Sequence, residues 1–231
     1  TIANLPRFYR AVGSKLTHVI LSDSFRGASD DHVALLTTAL HSMPTVTFLE
    51  MERCDIGASG SPAGCACLME LMIKERQRGD GSGLTHLSLA SNPIGDTGIE
   101  ALSLGIQANP TLKRLVLSEC KIREQGASKL GLALENNSCL EHLCLSWNVL
   151  GERGGNYIAA AIGTSPNLVS VDLEKCALGP EGTEVIGYAI RENDKLQALN
   201  MSANRLDTKA SIVLAESLRR NDQLRVLMLR H

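Results

Sequence analysis

A short pattern of apolar residues recurs every 28 residues along most of this chain. The segment that begins at Leu84 has the pattern Leu-x-x-Leu-x-Leu-x-x-Asn, and later copies begin at Leu112, Leu140, Leu168, Leu196 and Leu224. Less regular copies begin at Leu16 and Val46. A fixed period of this length is typical of stacked structural repeats. We therefore predict a single domain over residues 1–231, made of about eight repeats that start at residues 16, 46, 84, 112, 140, 168, 196 and 224.

Each repeat has two halves with different periodicities. In the first half, apolar residues alternate, as at Leu87 and Leu89, which predicts a short strand. In the second half, a glycine such as Gly98 is followed by apolar residues at intervals of four, Leu102 and Ile106, which mark one face of a helix. A single unit of this kind cannot bury its apolar side, but a stack of units can. The predicted fold class is α/β, a right-handed solenoid with a curved parallel sheet inside and helices outside.

The ninth residue of each repeat alternates between two types along most of the array. From the second repeat onward it is, in order, Cys54, Asn92, Cys120, Asn148, Cys176 and Asn204. A buried asparagine can hydrogen-bond to backbone groups where a strand leaves the sheet. A cysteine is a small buried alternative with a weak donor.

With this alternation the chain resembles the ribonuclease-inhibitor type of leucine-rich-repeat protein, in which asparagine-type and cysteine-type repeats of about this length alternate. The resemblance covers roughly residues 16–230. It implies the leucine-rich-repeat solenoid. It is less specific about function, because the class includes ribonuclease inhibitor, the sensor regions of NOD-like receptors, Ran GTPase-activating proteins, and cytoskeletal or axonemal scaffold proteins.

The composition restricts the kinds of partner that we expect. The formal net charge is −2, with 23 basic and 25 acidic residues, and no run of like charge is present. We therefore expect neither nucleic-acid nor membrane binding. The amino-terminal residues lack the apolar core of a signal peptide. Seven dispersed cysteines fit a reducing compartment. The expected location is intracellular, with the cytoplasm favoured over a cytoskeletal or nuclear site.

Two irregularities interrupt the array. The second repeat has 38 residues instead of 28, and one of its insertions, residues 76–83, is polar and rich in glycine. We predict a mobile surface loop there, in which Arg76 and Arg78 are secondary candidates for binding a partner. The eighth repeat ends at His231, directly after its strand. We therefore expect a longer chain, with further repeats or a partner covering this edge.

The strand residues that face the concave side of such a solenoid are not required by the repeat pattern. They are therefore the candidate surface for a protein partner. Large and charged side chains concentrate in the middle repeats, where Trp147 is the only tryptophan of the chain. An exposed tryptophan flanked by charges of both signs is typical of an interface. The candidate binding residues are Arg114, Glu119, His142, Trp147, Asp172, Glu174 and Lys175, with Arg53 and His86 as further secondary candidates.

Conventional catalytic and metal-binding patterns are missing from the sequence. His86 and His142 share one position of the repeat, but Arg114 lies between them, and its charge disfavours a second cation. No nucleophile elbow, P-loop or dinucleotide fingerprint is present. We therefore expect no catalytic residues, no metal and no cofactor.

One local segment suggests an alternative. Ser22-Asp23-x-Phe25-x-Gly27 is similar to a segment of Ran GTPase-activating proteins, in which an arginine follows the glycine, but here that residue is Ala28. The main prediction is a non-enzymatic module that binds proteins through its concave face, as in cytoskeletal, axonemal or regulatory assemblies. The alternatives are a GTPase-activating protein of the Ran type and the ligand-sensing region of a NOD-like receptor.

Overall fold

The computed structural model describes residues 15–23 and 30–230 of the chain. Within these residues, the third to fifth residues of each repeat form a three-residue strand, as the alternation of apolar side chains predicts. The middle residue of each strand, such as Leu87 or Leu115, is buried. The strands are β1 His18–Ile20, β2 Phe48–Glu50, β3 His86–Ser88, β4 Arg114–Val116, β5 His142–Cys144, β6 Ser170–Asp172, β7 Ala198–Asn200 and β8 Val226–Met228.

The strands form one parallel sheet in the order of the sequence, from β1 to β8. Equivalent positions of neighbouring repeats pair with each other, so that Arg114 pairs with His86 on one side and with His142 on the other. The insertion in the second repeat does not shift this register, because Phe48 still pairs with His86. The third residue of each repeat therefore lies in one column across the sheet.

The second half of each repeat forms a helix that covers one side of the sheet. The apolar residues spaced by four, such as Leu102 and Ile106, are fully buried against the strands. The helices in the described part of the chain are α1 Asp30–Leu40, α2 Ala63–Arg78, α3 Gly95–Ala108, α4 Glu124–Glu135, α5 Gly151–Thr164, α6 Gly179–Glu192 and α7 Thr208–Leu218. The predicted class, a parallel sheet with alternating helices, is confirmed.

The regularly spaced glycines near the starts of the helices allow close contact between neighbouring repeats. A Cβ atom on Gly126 of α4 would lie 2.6 Å from Asp96 Oδ1, which belongs to the preceding helix. That oxygen accepts hydrogen bonds from the backbone N–H groups of Gly126 and Arg123, and so satisfies the open amino-terminal end of α4. In the sequence, this position is marked only by a glycine that recurs at Gly98, Gly126, Gly154 and Gly182. The structure adds the adjacent helix as the neighbour that excludes a side chain.

The insertion in the second repeat differs from its prediction in one respect. Helix α2 continues to Arg78, so the first three residues of the predicted loop are helical. Arginine and glutamine are good helix formers, and the helix ends only at Gly79, whose φ of 67° is left-handed. The prediction of a loop that starts at Arg76 is therefore wrong. The loop proper comprises residues 79–85.

Buried side chains connect each repeat to the one before it. Asn148 Oδ1 accepts hydrogen bonds from the N–H groups of Cys120 and Ile122, at 3.0 and 2.9 Å. Its Nδ2 donates to the carbonyl oxygens of Leu117 and Leu145, at 2.8 Å each. The interpretation of the alternating asparagine as a backbone ligand is thus confirmed. Equivalent contacts are made by Asn92 and Asn204.

In the cysteine-type repeats, the buried thiol forms a weaker hydrogen bond to the preceding repeat. Cys120 Sγ donates to the carbonyl oxygen of Leu89 at 3.2 Å, and Cys176 Sγ donates to that of Leu145 at 3.1 Å. Burial raises the pKa of both thiols to about 12. These groups therefore remain protonated and act as donors in the core.

Candidate functional site

A depression on the open side of the sheet collects three of the predicted binding residues. Arg114 of β4, His142 of β5 and Asp172 of β6 come from consecutive strands. They line a depression of about 270 Å³ together with Cys144 and Ser170. We call this the strand-face depression. It combines a guanidinium, an imidazole and a carboxylate on a surface that none of the described helices covers.

Burial and the charge of Arg114 together shift the pKa values of the two histidines on the strand face. Partial burial lowers the pKa of His142, and the positive charge of Arg114 lowers it further. The pKa of His86 is lowered by the same two causes, whereas the carboxylates of Glu50 and Glu52 act in the opposite direction. Both imidazoles are therefore neutral near pH 7 and can donate and accept hydrogen bonds.

An aromatic stack lies next to the strand-face depression, on the first three strands. The rings of His18 and Phe48 are 4.8 Å apart between centroids, and those of Phe48 and His86 are 4.1 Å apart. Planes inclined by 28° and 19° show stacked rings. Sequence analysis singled out His86 but not Phe48, although the repeat pattern aligns His18, Phe48 and His86 at the third position of successive repeats. What the sequence did not show is that their rings stack.

The serine and cysteine side chains of the strand face are bonded to one another. Ser146 Oγ donates to Ser118 Oγ at 3.1 Å, and Cys144 Sγ lies 3.0 Å from the same oxygen. Ser146 and Ser202 are both buried. These residues stabilise the sheet, so the surface open to a partner is narrower than the sequence pattern indicated.

The eighth position of each repeat has a backbone conformation that the sequence did not reveal. In every described repeat that contains it, this residue has a positive φ, between 53° and 62°. It stands in the turn directly after the strand, at the edge of the open face. The residues are Asp23, Arg53, Ser91, Glu119, Trp147, Lys175 and Ala203. We call this series the turn column.

Neighbours in the turn column contact each other in pairs. Arg53 donates to both carboxylate oxygens of Asp23, with an Nη2–Oδ2 distance of 2.9 Å. Ser91 Oγ lies 3.4 Å from Glu119 Oε2. The guanidinium of Arg53, a secondary candidate for binding a partner, is therefore already hydrogen-bonded within the chain. A partner that bound Arg53 would have to compete with Asp23.

Trp147 and Lys175 form the third pair of the turn column. The Lys175 Nζ atom lies 3.5 Å from the centroid of the Trp147 ring, which is a cation–π contact. Despite this contact Trp147 remains 49% exposed. The sequence predicted an exposed tryptophan at the edge of the concave face, and the structure places it there.

A groove runs from Trp147 along the turns that connect strands to helices. Its volume is about 650 Å³. We call it the strand-end groove. Its walls combine apolar groups with two basic side chains and one acidic side chain, and the lining residues are Trp147, Asn148, Val149, Glu152, Lys175, Ala177, Gly179, Pro180, Ala203 and Arg205.

The predicted binding residues thus divide between two neighbouring places. Arg114, His142 and Asp172 lie in the strand-face depression, and Trp147 and Lys175 lie in the strand-end groove. Glu174 is among the lining residues of neither, and its carboxylate accepts a hydrogen bond from Asn200 Nδ2 at 3.2 Å. Glu119 is exposed in the turn column.

Other predicted residues lie elsewhere. Arg76 is on α2, and its Nη1 donates to the carbonyl oxygen of Ala108 at 3.4 Å, at the carboxyl end of the next helix. Arg78 is the last residue of α2. Neither lies on the strand face. Phe25 and Gly27, which carried the similarity to Ran GTPase-activating proteins, lie outside the described residues.

Sequence reasoning missed Arg205 and Val149, which line the strand-end groove. Both occupy the tenth position of their repeats, and this position was not considered as part of the open face. Arg205 has a φ of 58°, like Ala177 one repeat earlier. The 28-residue period could have aligned these positions, but only the left-handed turns bring them beside Trp147.

Within residues 15–23 and 30–230, no group of three histidine, cysteine or acidic side chains is arranged to hold a metal ion. In the same residues, none of the helices has the length and apolar character to cross a membrane.

A comparison with known families agrees with this geometry. The Leucine Rich repeat family model matches four successive stretches, residues 84–103, 108–131, 136–159 and 164–187. These units are leucine-rich repeats, and the sheet with its helices is a leucine-rich-repeat solenoid. The chain also resembles the solved leucine-rich repeat-containing protein LegL7 from Legionella pneumophila, at 17% identity and a TM-score of 0.62. That likeness, which covers 99% of this chain and 69% of LegL7, concerns the fold alone.

Two curated human proteins are similar in sequence. NACHT, LRR and PYD domains-containing protein 14 is 36% identical over 104 residues, which is 44% of this chain. NACHT, LRR and PYD domains-containing protein 2 is 35% identical over 113 residues, which is 48% of this chain. The matched parts make up only 9% and 10% of the lengths of these two relatives.

Proposed function

We propose that this solenoid is a protein-binding module whose recognition surface is centred on the strand-face depression. The observation that carries the proposal is the arrangement of Arg114, His142 and Asp172 on three consecutive strands. Charges of both signs lie there within one exposed area. Such an arrangement fixes the orientation of a partner and discriminates against wrong ones.

The dimensions of the open face suit a folded protein partner. Eight strands at a spacing of about 4.8 Å span roughly 35 Å, which matches the width of a small domain. A small ligand would need an enclosed pocket, whereas the strand-face depression is shallow and its residues belong to a continuous surface. Binding rather than catalysis is therefore the role that we assign to these side chains.

We further propose that the chain belongs to the ribonuclease-inhibitor type of leucine-rich-repeat protein. The alternation of Asn92, Cys120, Asn148 and Cys176 at one buried position supports a place in the ribonuclease-inhibitor type. The likeness to two NACHT, LRR and PYD domains-containing proteins supports a role as the recognition region of a regulatory protein of that kind. We propose an intracellular protein partner on this basis.

The test is crosslinking and affinity capture of the chain from cells, followed by mass spectrometry, with wild-type protein and matched variants. Arg114→Glu and Asp172→Lys reverse charges in the strand-face depression. The control is Lys129→Glu, which reverses an exposed charge on helix α4. We expect a specific partner that is lost with either strand-face variant and retained by the control.

Two outcomes would contradict the proposal. One is a partner that all variants capture equally, because the strand face would then be irrelevant to binding. The other is stimulated GTP hydrolysis when the purified chain is added to a Ran-type GTPase, because this result would support the alternative function.

A further inference from the structure

We propose that the strand-end groove binds an extended acidic segment of a partner protein, with one large apolar side chain of that segment packed on Trp147. This inference rests on the proposed protein-binding function and specifies the chemistry of the partner. It concerns a surface next to the strand-face depression.

The first argument is the unequal charge balance of the groove. Its basic side chains are Lys175 and Arg205, and neither takes part in an ion pair among those found within residues 30–230. By contrast, Arg53, which lies in the turn column like Lys175, is bound to both carboxylate oxygens of Asp23. The groove therefore presents two cations that this part of the chain does not neutralise.

Glu152 is the one acidic side chain among the residues that line the groove. The carboxylates of Asp207 and Glu174 accept hydrogen bonds from other parts of the chain. Asp207 accepts a hydrogen bond from Ala210 N at 2.8 Å, and so caps helix α7. Glu174 accepts from Asn200. The Glu152 carboxylate lies against Gly179, where helix α6 begins with its partial positive charge. With Lys175 and Arg205 against Glu152, the lining of the groove carries one net positive charge, which favours an anionic ligand.

The second argument is the apolar surface between these charges. Trp147 is 49% exposed and Val149 is 64% exposed, and Ala177 and Pro180 complete that side of the groove. Lys175 lies over the tryptophan ring, with its Nζ atom 3.5 Å from the ring centroid. An exposed tryptophan next to two cations that form no ion pair within residues 30–230 suits a peptide that carries both an apolar side chain and carboxylates.

The third argument is the shape of the groove. It follows the turns of three successive repeats, those of Trp147, Lys175 and Ala203. At about 4.8 Å per repeat, this distance corresponds to roughly three residues of extended chain. A volume of about 650 Å³ accommodates a few side chains and does not accommodate a folded domain. An extended segment is therefore the occupant that fits.

The experiment uses the fluorescence of Trp147, which is the only tryptophan and so reports on this groove alone. The probe is a capped ten-residue peptide of eight glutamates with two central leucines. Two comparison peptides carry glutamine or lysine in place of every glutamate. We expect a saturable change in emission with the acidic peptide, an affinity that falls as salt is added, and affinities at least about tenfold weaker for both comparison peptides.

Substitutions in the strand-end groove test whether the acidic peptide binds there. Lys175→Gln and Arg205→Gln should each weaken binding of the acidic peptide by about three- to fivefold. The matched control is Lys195→Gln, because Lys195 is similarly exposed and is paired with Asp194 outside the groove. Trp147→Ala, measured by anisotropy of a labelled peptide, should weaken binding by at least about tenfold. Circular dichroism and thermal midpoints confirm that each variant is folded.

The inference is overturned if the emission shows no saturation up to about 1 mM peptide. It is also overturned if the three peptides bind equally, or if the Lys175→Gln/Arg205→Gln double variant binds as the wild type does. These failures leave the proposed function intact if capture of a partner still depends on Arg114 and Asp172. Conversely, specific binding of the acidic peptide without any partner that depends on those two residues would overturn only the proposed function.

Discussion

The Nδ2 atom of Asn148 donates a hydrogen bond of 2.8 Å to the carbonyl oxygen of Leu117, which lies 31 residues earlier in the chain. This bond joins two repeats inside the core, where water cannot replace it. Asn148 is 1% exposed and its amide has further partners in both repeats. The side chain therefore acts as a connector between repeats.

We expect Asn148→Ala to lower the free energy of unfolding by about 1–3 kcal/mol, because buried N–H and C=O groups lose their partners. The matched control is Asn156→Ala, at an exposed position of helix α5. That change should shift stability by no more than about 0.7 kcal/mol. Urea denaturation of both variants checks the prediction. Equal midpoints would contradict the buried role of Asn148.

The seven cysteines should differ in reactivity. All seven are thiols in the structure; Cys67, Cys139 and Cys144 are half-buried and the other four are buried. Burial also raises the pKa of Cys65 to about 12. We expect the reagent DTNB to modify at most three thiols in the native protein at pH 8 and all seven after unfolding without reductant. Fewer than seven in the unfolded protein would reveal a disulfide.

The two histidines beside Arg114 should titrate below their usual pKa of about 6.5. Because burial and Arg114 favour their neutral forms in the folded state, they contribute stability above pH 6.5, and this stability is lost as the pH falls through their folded pKa values. We expect Arg114→Gln to raise the pKa of both His86 and His142 in an NMR titration.

A second substitution separates the two histidines. Glu50 raises the pKa of His86 and is not among the groups that act on His142. Glu50→Gln should therefore lower the pKa of His86 further and leave that of His142 unchanged. A common shift of both residues would be inconsistent with the strand register, which places β2 next to β3 and away from β5.

Glu75 should stabilise the fold at the point where the insertion interrupts the repeat array. It is 5% exposed, and its carboxylate accepts hydrogen bonds from Leu84 N at 3.1 Å and Asn109 Nδ2 at 2.9 Å. In later repeats an asparagine such as Asn137 accepts from the first backbone N–H group of the next repeat. The longer glutamate performs this task across the inserted loop.

Glu75→Ala should therefore cost about 1–3 kcal/mol of stability, whereas Glu75→Gln, which keeps an acceptor, should cost less. The control is Glu70→Ala, at an exposed position of the same helix, with an effect within about 0.5 kcal/mol. Thermal unfolding by circular dichroism measures all three. If Glu75→Ala and Glu70→Ala melted together, the assigned role would be wrong.

Much of the fold was predictable because the repeat is local. Leu87 and Leu89 alternate with a period of two, and Leu102 and Ile106 are spaced by four, so the strand and the helix follow from neighbouring residues alone. The 28-residue spacing then determines which strands pair. The exact extent of α2 was missed, because residues 76–78 are polar and so carry no apolar periodicity. Only their helix propensity distinguishes them from a loop.

The sequence by itself determined the class of fold, the buried asparagine and cysteine columns, and the exposed position of Trp147. All of these depend on spacing along the chain. Only the tertiary structure decided which side chains meet. It separated Arg114 and His142 from Trp147, placed Lys175 over the tryptophan ring, and brought Arg205 beside them. The physical reason is the left-handed turn after each strand, whose backbone angles depend on hydrogen bonds between repeats and therefore on the assembled array.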